Sequence, residues 1–327
     1  MGRPKTIQGE LCIKYLQLFP KYPSRTIARK IYNENSEAFR DIEDVRGVIK
    51  YYRGKMGKKN LYGKKFDHNI YELPESDCTE WNPFKIPSSC NKNLIFSDTH
   101  FPYHDVRAIT TMITDAKKRE INSIILNGDI LDFYALSKYQ KHPGKRSVND
   151  EIWQLVEFIT ILQDEFPSAR IFYKIGNHEE RLEKYLMLKA PELLDMEEYH
   201  LGEILKIRGV QDVTVIQKQI IMAGKLPVVH GHEFMGGGSG GVNPARGLFL
   251  KSLSSALTSH FHRTSSNSER DITDKLMSTF SIACLCDLHP EYALLNKWNH
   301  GFAYIDLDGD EFTISNKKIY KEKVYSE

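Results

Sequence analysis

The sequence predicts an α/β protein with a small all-α domain at its N-terminus, and two observations lead to this fold class. From about residue 91 onward, apolar runs rich in β-branched residues alternate with helical segments, the order expected of a sheet covered by helices. Before residue 66 the chain instead has three short segments in which apolar residues recur at helical spacing. We therefore expect a basic helical domain over residues 1–65, a linker over 66–90 and an α/β domain over 91–327.

Three helices are predicted in the N-terminal domain. The first spans Ile7 to Phe19 and is ended by Pro20, and the second spans Arg25 to Tyr32 with Ser24 as its N-cap. The third has one apolar face, formed by Ile42, Val45, Val48, Ile49 and Tyr52. This order is similar to a helix-turn-helix fold, in which the third helix would enter the major groove of DNA.

A net charge of +2 conceals a strong asymmetry along the chain. Residues 1–65 carry 16 Lys or Arg against 6 Asp or Glu, whereas the remainder carries 29 against 37. A basic helical domain favours nucleic acid as a partner, although such a bundle can also contact a protein or form a solvated surface. The expected nucleic-acid contacts are Arg46, Lys50, Arg53 and Lys55.

In the α/β domain, polar segments follow apolar runs that are typical of buried strands. The runs are Leu94-Ile95-Phe96, Ile124-Ile125-Leu126, Ile171-Phe172-Tyr173 and Pro227-Val228-Val229. The polar segments are Asp98-Thr99-His100, Gly128-Asp129-Ile130-Leu131-Asp132, Gly176-Asn177-His178-Glu179, Val229-His230-Gly231 and His260-Phe261-His262. Because side chains from distant segments converge at strand ends, we expect these residues to form one site.

The residue types in these segments indicate a metal site. Imidazole, carboxylate and amide groups together suit borderline divalent ions such as Mn, Fe, Zn or Ni, and no segment contains the Cys of a closed structural zinc site. Each segment alone has a structural explanation, since Asp98 and Asp129 could cap helices and Gly176-Asn177 is a common turn. Their joint occurrence favours the metal site.

The five segments resemble the signature of the calcineurin-like metallophosphoesterase superfamily, which reads DxH, GDxxD, GNH(D/E), H and GHxH. All five occur in that order over residues 98–262. The resemblance implies a four-layer α/β/β/α sandwich for the α/β domain. One position departs from the pattern, because Ser259 stands where the last segment usually has Gly. This restricts the backbone beside a ligand and leaves both histidines in place.

The resemblance also implies a role for each matching residue. The expected ligands of one metal ion are Asp98, His100 and His262, those of a second are Asn177, His230 and His260, and Asp129 bridges the two. His178 would contact the phosphate and protonate the leaving oxygen, while Asp132 would orient that histidine or a metal ligand. We expect two divalent ions, Mn in the first place and Fe, Zn or Ni as alternatives.

Two arginines are candidates for binding the substrate. Arg181 follows the third segment, where a surface hydrogen bond or salt bridge is the alternative. Arg246 lies beyond the glycine-rich stretch 236–241 and after Asn243-Pro244, a helix start. For the stretch itself, simple flexibility is a better explanation than phosphate binding, because it lacks the Lys of a P-loop.

Further elements are predicted around these segments. Helices are expected at Val106–Arg119, Asp150–Glu165 and Glu180–Ala190. Strands are expected at Phe280–Leu285, Gly301–Asp306 and Phe312–Ser315, the last two joined by a turn at Asp308-Gly309, and we assign all three to a second sheet. Cys284 and Cys286 alternate as in a strand, which we interpret as packing.

No apolar stretch approaches the roughly 20 residues needed to cross a bilayer, and the N-terminus has no apolar segment typical of a signal peptide. Five cysteines without paired metal spacing fit reduced thiols. We therefore expect a cytoplasmic protein that does not associate with membranes. The sequence indicates no protein partner.

The main functional hypothesis is a two-metal phosphoesterase that hydrolyses phosphodiester bonds in nucleic acid. Protein phosphatases of the superfamily carry Arg-Gly after the last Asp of the second segment, whereas Phe133-Tyr134 follows Asp132 here. A tethered basic domain raises the local concentration of nucleic acid near the metals. Two alternatives remain: a phosphomonoesterase or nucleotide phosphatase localised by its N-terminal domain, and a non-catalytic nucleic-acid-binding protein with a structural metal site.

Overall fold

The structure is a computed structural model that describes residues 6–20, 22–54, 74, 78, 81–138, 147–234, 241–291 and 293–327. Lys55 and the glycine-rich stretch up to residue 240, both singled out in the sequence, therefore lie outside the described residues. The chain divides into two compact units, Met1–Thr79 and Glu80–Glu327. No helix among the described residues combines the length and apolar character that a bilayer-spanning segment needs.

The first unit is helical. Its helices are α1 (Ile7–Leu18), α2 (Ser24–Glu34) and α3 (Ile42–Arg53), with a 3-10 turn at Ser36–Ala38. The Thr6 hydroxyl and the Asp41 carboxylate cap α1 and α3 by accepting backbone N–H groups. The predicted cap of α2 differs, because the helix begins at Ser24 itself and the Ser24 hydroxyl accepts a hydrogen bond from Arg53.

One buried apolar cluster holds the three helices together. Its most buried members are Cys12, Leu16, Ile27, Ala28, Ile31, Val45 and Ile49. In α3 the buried residues Val45, Ile49 and Tyr52 recur at a spacing of three to four, so the opposite face of the helix is left to charged side chains.

The second unit alternates strands and helices. In chain order its elements are β1 (Phe84–Lys85), β2 (Lys92–Phe96), α4 (Val106–Ala116), β3 (Ser123–Asn127), α5 (Val148–Glu165), β4 (Arg170–Lys174), α6 (Glu180–Lys189), α7 (Leu201–Ile207), β5 (Val213–Ile216), β6 (Ile221–Ala223), β7 (Leu226–Val228), α8 (Pro244–Ser252), β8 (Ala256–Thr258), β9 (Ser265–Arg270), β10 (Leu276–Ser281), β11 (His300–Asp308), β12 (Glu311–Tyr320) and β13 (Lys323–Ser326). The three helices predicted in this unit are confirmed, with ends within three residues of those expected.

The strands of the second unit form two sheets in the described part of the chain. The first has the order β13-β12-β11-β2-β3-β4-β5, in which β2 to β5 are parallel. The second has the order β1-β6-β7-β8-β10-β9, in which β7, β8 and β10 are parallel. The carboxyl ends of neighbouring parallel strands therefore lie along one edge of each sheet.

Successive side chains of the central strands point to opposite faces of the sheet, and this alternation explains the layers. In β2, Leu94 and Phe96 pack with residues of α4 and α5 on the outer side, whereas Ile95 packs against Val228 and Leu257 of the second sheet. Helix α8 covers the other face of the second sheet through Leu248. The predicted four-layer α/β/β/α sandwich is confirmed.

The C-terminal strands correct the predicted sheet assignment. Strand β11 pairs antiparallel with β2, so β11 and β12 extend the first sheet, and only β10 belongs to the second. An apolar run buried on both faces shows that a strand is central but not which strand lies beside it. Within the segment predicted as a linker, 66–90, Phe84–Lys85 form β1, which pairs with β6.

Candidate metal centre

The predicted metal ligands converge because each follows a strand end. Asp98, Asp129, Asn177, His230 and His260 all lie within three residues of the end of β2, β3, β4, β7 or β8. The two sheets bring these loops together at one edge of the sandwich. His262 Nε2 lies 3.2 Å from Asp98 Oδ1, and His230 Nε2 lies 3.3 Å from Asp129 Oδ2.

Among the described residues, four sets of side chains could hold a metal ion, and two of them share Asp129; the other two are His100 with His262 and Cys286, and His100 with Asp132 and His178. Of the sets that share Asp129, one joins it to Asp98 and His100, and the other joins it to His230 and His260, with the atoms of each set within 4.8 Å of one another. His262 belongs with the first set, because its Nε2 is 3.2 Å from Nε2 of His100. For the histidines and the two aspartates, this grouping agrees with the division that the resemblance implied, with Asp129 between two positions.

Three buried atoms at this centre test whether metal ions fit it. Asp98 Oδ1, Asn177 Oδ1 and His230 Nε2 make no hydrogen bond of good geometry among the described residues, although the first and last lie within ion-pair distance of His262 and Asp129. Buried polar atoms are nearly always hydrogen-bonded, so these atoms are suited to metal ligation instead. Carboxylate, amide and imidazole donors match borderline divalent ions. The residues therefore fit two such ions.

Backbone conformation also marks the ligands. Five of them have left-handed φ angles between +48° and +67°, namely Asp98, His100, Asp129, His260 and His262. This region costs a residue with a side chain roughly 1–3 kcal/mol, and such residues concentrate at functional sites. Gly128, at φ +87°, precedes one of them, and a side chain at that position would collide with His230. The loops are held in place by the surrounding structure.

Glu179 organises two of these loops, a role that the sequence did not reveal. Its carboxylate is buried and accepts the backbone N–H groups of Asp129, Ile130, Leu131 and Gly176 at 2.7–3.0 Å. The Tyr173 hydroxyl donates to it as well, at 2.9 Å. The available signal was its place as fourth residue of the Gly176 segment.

Glu233 performs a similar task for the His230 loop. It accepts the backbone N–H groups of His230 and Gly231 at 3.0 and 2.6 Å. The buried Lys174 lies 3.0 Å from its carboxylate and balances its charge. The sequence signal was a Lys at the end of an otherwise apolar strand.

Contacts at Nδ1, the nitrogen that does not face Asp129, fix the orientation of the His230 ring. His230 Nδ1 donates to the carbonyl oxygen of Asn127 at 2.7 Å, which leaves Nε2 facing Asp129. Ser259, at the position that departs from the family pattern, is fully buried, and its hydroxyl lies 3.1 Å from the same Nδ1. Ser259, in place of the usual Gly, thus adds a contact to the outer nitrogen of His230.

His178, Asp132 and Arg181 form a cluster beside the ligands, as predicted for the first two. Asp132 Oδ1 lies 3.0 Å from His178 Nδ1 and 3.4 Å from His100 Nδ1, so it orients both rings. Arg181 Nη1 donates to the Asp132 carbonyl oxygen at 2.7 Å, and its Nη2 donates to His178 Nε2 at 3.1 Å. His178 retains 15% exposure and borders solvent.

Electrostatics within the centre couple carboxylates to histidines. Although burial opposes ionisation, the charge of His262 lowers the pKa of Asp98, and that of His230 lowers the pKa of Asp129. Burial also opposes protonation of the histidines, yet these carboxylates raise the pKa values of His230 and His262 to about 10. Burial and the charge of His230 lower the pKa of His260 to about 4.

The remaining predicted contacts lie elsewhere. Arg246 is exposed in the first turn of α8, and among the described residues no hydrogen bond or ion pair joins its side chain to a predicted metal ligand. In the helical unit, Lys50 is exposed, whereas Arg46 forms a 2.7 Å ion pair with Glu43. Arg53 donates to Ser24 and to backbone carbonyl groups, which ties α3 to the start of α2.

Comparison with known proteins identifies one family. A family model described as calcineurin-like phosphoesterase matches residues 92–303. No curated protein matches the sequence.

Solved structures with a similar fold include two of Vps29 and one of a bacterial phosphoesterase. Wild-type Vps29 complexed with zinc from Entamoeba histolytica is 13% identical, with 72% of this chain and 97% of that chain covered and a TM-score of 0.38. Vps29 from Cryptosporidium parvum is 12% identical, with 72% and 95% covered and a TM-score of 0.38. YfcE, a phosphoesterase from E. coli, is 12% identical, with 71% and 96% covered and a TM-score of 0.35.

Proposed function

Since the chain belongs to the calcineurin-like phosphoesterase family of metal-dependent hydrolases, we propose that it cleaves phosphodiester bonds in nucleic acid. The observation that carries this proposal is the union, in one chain, of the family's ligand set with a helical unit whose first 65 residues have 16 basic and 6 acidic side chains. Polynucleotides are the phosphodiesters that such a basic unit attracts. We propose Mn as the metal, with Fe, Zn or Ni as alternatives.

The residues divide the chemistry among them. When bound, two divalent ions would supply Lewis-acid activation of water and of the phosphoryl group. One ion is assigned to Asp98, His100 and His262, the other to Asn177, His230 and His260, and Asp129 is shared between them. This leaves His178 without a ligand role and available for proton transfer.

His178 is proposed to protonate the leaving oxygen. Although burial opposes protonation, the charges of Asp129 and Asp132 raise its pKa above the ordinary value. Arg181 Nη2 donates to His178 Nε2 in this structure. A bound phosphoryl group would give Arg181 a charged acceptor instead, and Nε2 could then carry the proton.

The position after Asp132 argues against a phosphoprotein substrate. Protein phosphatases of the superfamily have an arginine there, whereas this chain has Phe133, which is fully buried. The site therefore lacks that phosphate-gripping side chain. On the helical unit, exposed basic side chains are available for phosphates at Arg25, Arg29 and Lys50.

A substrate screen tests the proposal. Purified protein is assayed with Mn, Mg, Ni and Zn against bis-p-nitrophenyl phosphate, p-nitrophenyl phosphate, and single-stranded and duplex DNA and RNA. We expect cleavage of bis-p-nitrophenyl phosphate and of at least one polynucleotide. Turnover of p-nitrophenyl phosphate alone would indicate a phosphomonoesterase, and metal binding without any turnover would indicate a binding protein.

The role of the helical unit has its own test. Removal of residues 1–65 should weaken polynucleotide binding and flatten its dependence on salt, because each lost phosphate contact reduces the slope by about 1. Hydrolysis of bis-p-nitrophenyl phosphate serves as the internal control and should persist. Unchanged polynucleotide affinity would contradict a nucleic-acid role for this unit.

A further inference from the structure

Two buried thiols lie behind one of the metal ligands. Cys284 and Cys286 occupy the connection between β10 and β11, with 0% and 3% exposure. The segment runs beside the first ligand loop, because the backbone N–H of Leu285 donates to the Asp98 carbonyl oxygen at 3.1 Å. The thiols are therefore adjacent to the metal centre rather than part of a remote core.

The two ring nitrogens of His262 face different neighbours, the ligand set on one side and a thiol on the other. Its Nε2 faces the ligand set, 3.2 Å from Asp98 Oδ1 and 3.2 Å from His100 Nε2. Its Nδ1 lies on the other side, 3.9 Å from Cys286 Sγ. Trp298 packs against the ring, with centroids 4.1 Å apart.

Two other predicted ligand histidines make outer contacts of a different kind. His230 Nδ1 meets a backbone carbonyl oxygen, and His100 Nδ1 faces the Asp132 carboxylate. A metal-bound imidazole normally donates its second N–H to such an oxygen, which fixes the tautomer and the ring orientation. For His262 the atom in that place is sulfur.

We propose that Cys286 is a positioning residue that accepts the Nδ1–H of His262 and thereby holds Nε2 toward the first metal ion. This inference rests on the proposed two-metal function and concerns metal retention rather than substrate. Sulfur is a weak acceptor, but a thiol at the contact distance of a buried N–H leaves that group partnered. The thiol of Cys284 also interacts with His262, but the 3.9 Å contact at Nδ1 is made by Cys286.

Metal retention in cysteine variants tests the proposal. Wild-type protein, Cys286→Ala, Cys286→Ser and the control Cys90→Ala are equilibrated with graded Mn and their metal content is measured. Cys90 is a matched control because it is equally buried, at 2% exposure, but packs between the two sheets. Loss of an outer contact typically costs 10- to 100-fold in metal affinity.

We expect Cys286→Ala to bind one of its two ions about 10- to 100-fold more weakly while it retains the other. Cys90→Ala should retain both ions, and Cys286→Ser, which keeps an acceptor on a shorter side chain, should lie between Cys286→Ala and the wild type in affinity. The electron paramagnetic resonance signal of a coupled Mn pair should change to that of single Mn in Cys286→Ala, a readout that general destabilisation would not produce.

Retention of both ions with wild-type affinity by Cys286→Ala would overturn the proposal, as would weakening of both ions together. If Cys286→Ala does not fold, Cys286→Val fills the volume without an acceptor and takes its place under the same two criteria. Neither measurement depends on turnover, so a failure of the nucleic-acid proposal would leave this result interpretable.

Discussion

The carboxylate of Glu179 accepts the backbone N–H of Asp129 at 2.9 Å, although fifty positions separate the two residues. Because the same carboxylate also accepts the N–H groups of Ile130 and Leu131, it fixes the whole turn that carries Asp129, the predicted bridging ligand. It also accepts the N–H of Gly176, next to the predicted ligand Asn177. One side chain thus sets the separation of two ligand loops.

We expect Glu179→Ala to destabilise the protein by at least about 3 kcal/mol, because several buried donors lose their acceptor and each unpaired donor costs about 1–3 kcal/mol. Urea unfolding of the metal-free protein measures this. Glu183→Ala, four residues further along the chain in α6, is the control, since Glu183 pairs with Lys218 at the surface at 3.1 Å and should contribute less than about 1 kcal/mol. Equal effects of the two substitutions would contradict the role given to Glu179.

Replacement of His178 should separate proton transfer from metal binding. We expect His178→Ala to lower turnover of bis-p-nitrophenyl phosphate by about 100- to 10,000-fold, the usual contribution of a general acid, with two ions still bound. Metal analysis and kinetics on the same sample measure both effects. His200→Ala, at an exposed site, should change neither. A loss of metal equal to the loss of turnover would show that His178 is a ligand instead.

Replacement of Asp129, unlike that of His178, should remove metal as well as activity. Because its carboxylate is grouped with Asp98 and His100 on one side and with His230 and His260 on the other, Asp129→Ala should weaken both ions at once. Metal analysis after dialysis should find less than one ion per chain, and turnover should fall with it. Retention of one ion at full affinity would show that Asp129 does not bridge the pair.

Metal binding should release protons, in a direction fixed by the histidine pKa values. In the metal-free protein the pKa values of His230 and His262 are raised to about 10, so both rings are protonated at pH 8. Each must lose a proton to bind a metal, so affinity should rise with pH, and roughly two protons should leave per pair of ions. Calorimetry in two buffers of different ionisation enthalpy measures this number, and His262→Gln should release about one fewer. Affinity that falls as pH rises would contradict this account.

The ligand loops could be predicted because their signals are local. Each apolar run with a polar residue directly after it predicts a strand and its end, and parallel strands bring such ends to one edge. The structure accordingly brings Asp98, Asp129 and His230 together. The four-layer architecture followed from the same segments through the family resemblance.

Other features depend on contacts that no local pattern encodes. Glu179 is one acidic residue among 43 acidic residues, and its role follows from the folded position of four backbone amides. The sheet that receives β11 depends on pairing with β2, more than 200 positions away. Cys286 could be predicted to pack, but its place behind His262 required the fold.

The buried pair of Lys174 and Glu233 gives the last prediction. Lys174 Nζ lies 3.0 Å from Glu233 Oε1 and is only 1% exposed, so its loss would leave a carboxylate without its cation beside the His230 loop. Lys174→Met should therefore destabilise the protein at pH 7 by about 3–5 kcal/mol, whereas Lys218→Met, at an exposed pair, should cost less than about 1 kcal/mol.

The dependence on pH distinguishes this charge effect from a packing effect. Although burial opposes ionisation, the charge of Lys174, together with those of His232 and His230 and the Gly231 N–H, lowers the pKa of Glu233 from 4.5 to about 2. The stability contributed by this ionised carboxylate is present above about pH 4.5 and is lost as the pH falls through 2. The free energies of unfolding of wild-type protein and Lys174→Met are measured from pH 7 to pH 3. The difference between them should narrow as the pH falls, because Glu233 becomes protonated at a higher pH in the variant than in the wild type. A difference independent of pH would assign the loss to packing of the Lys174 side chain instead.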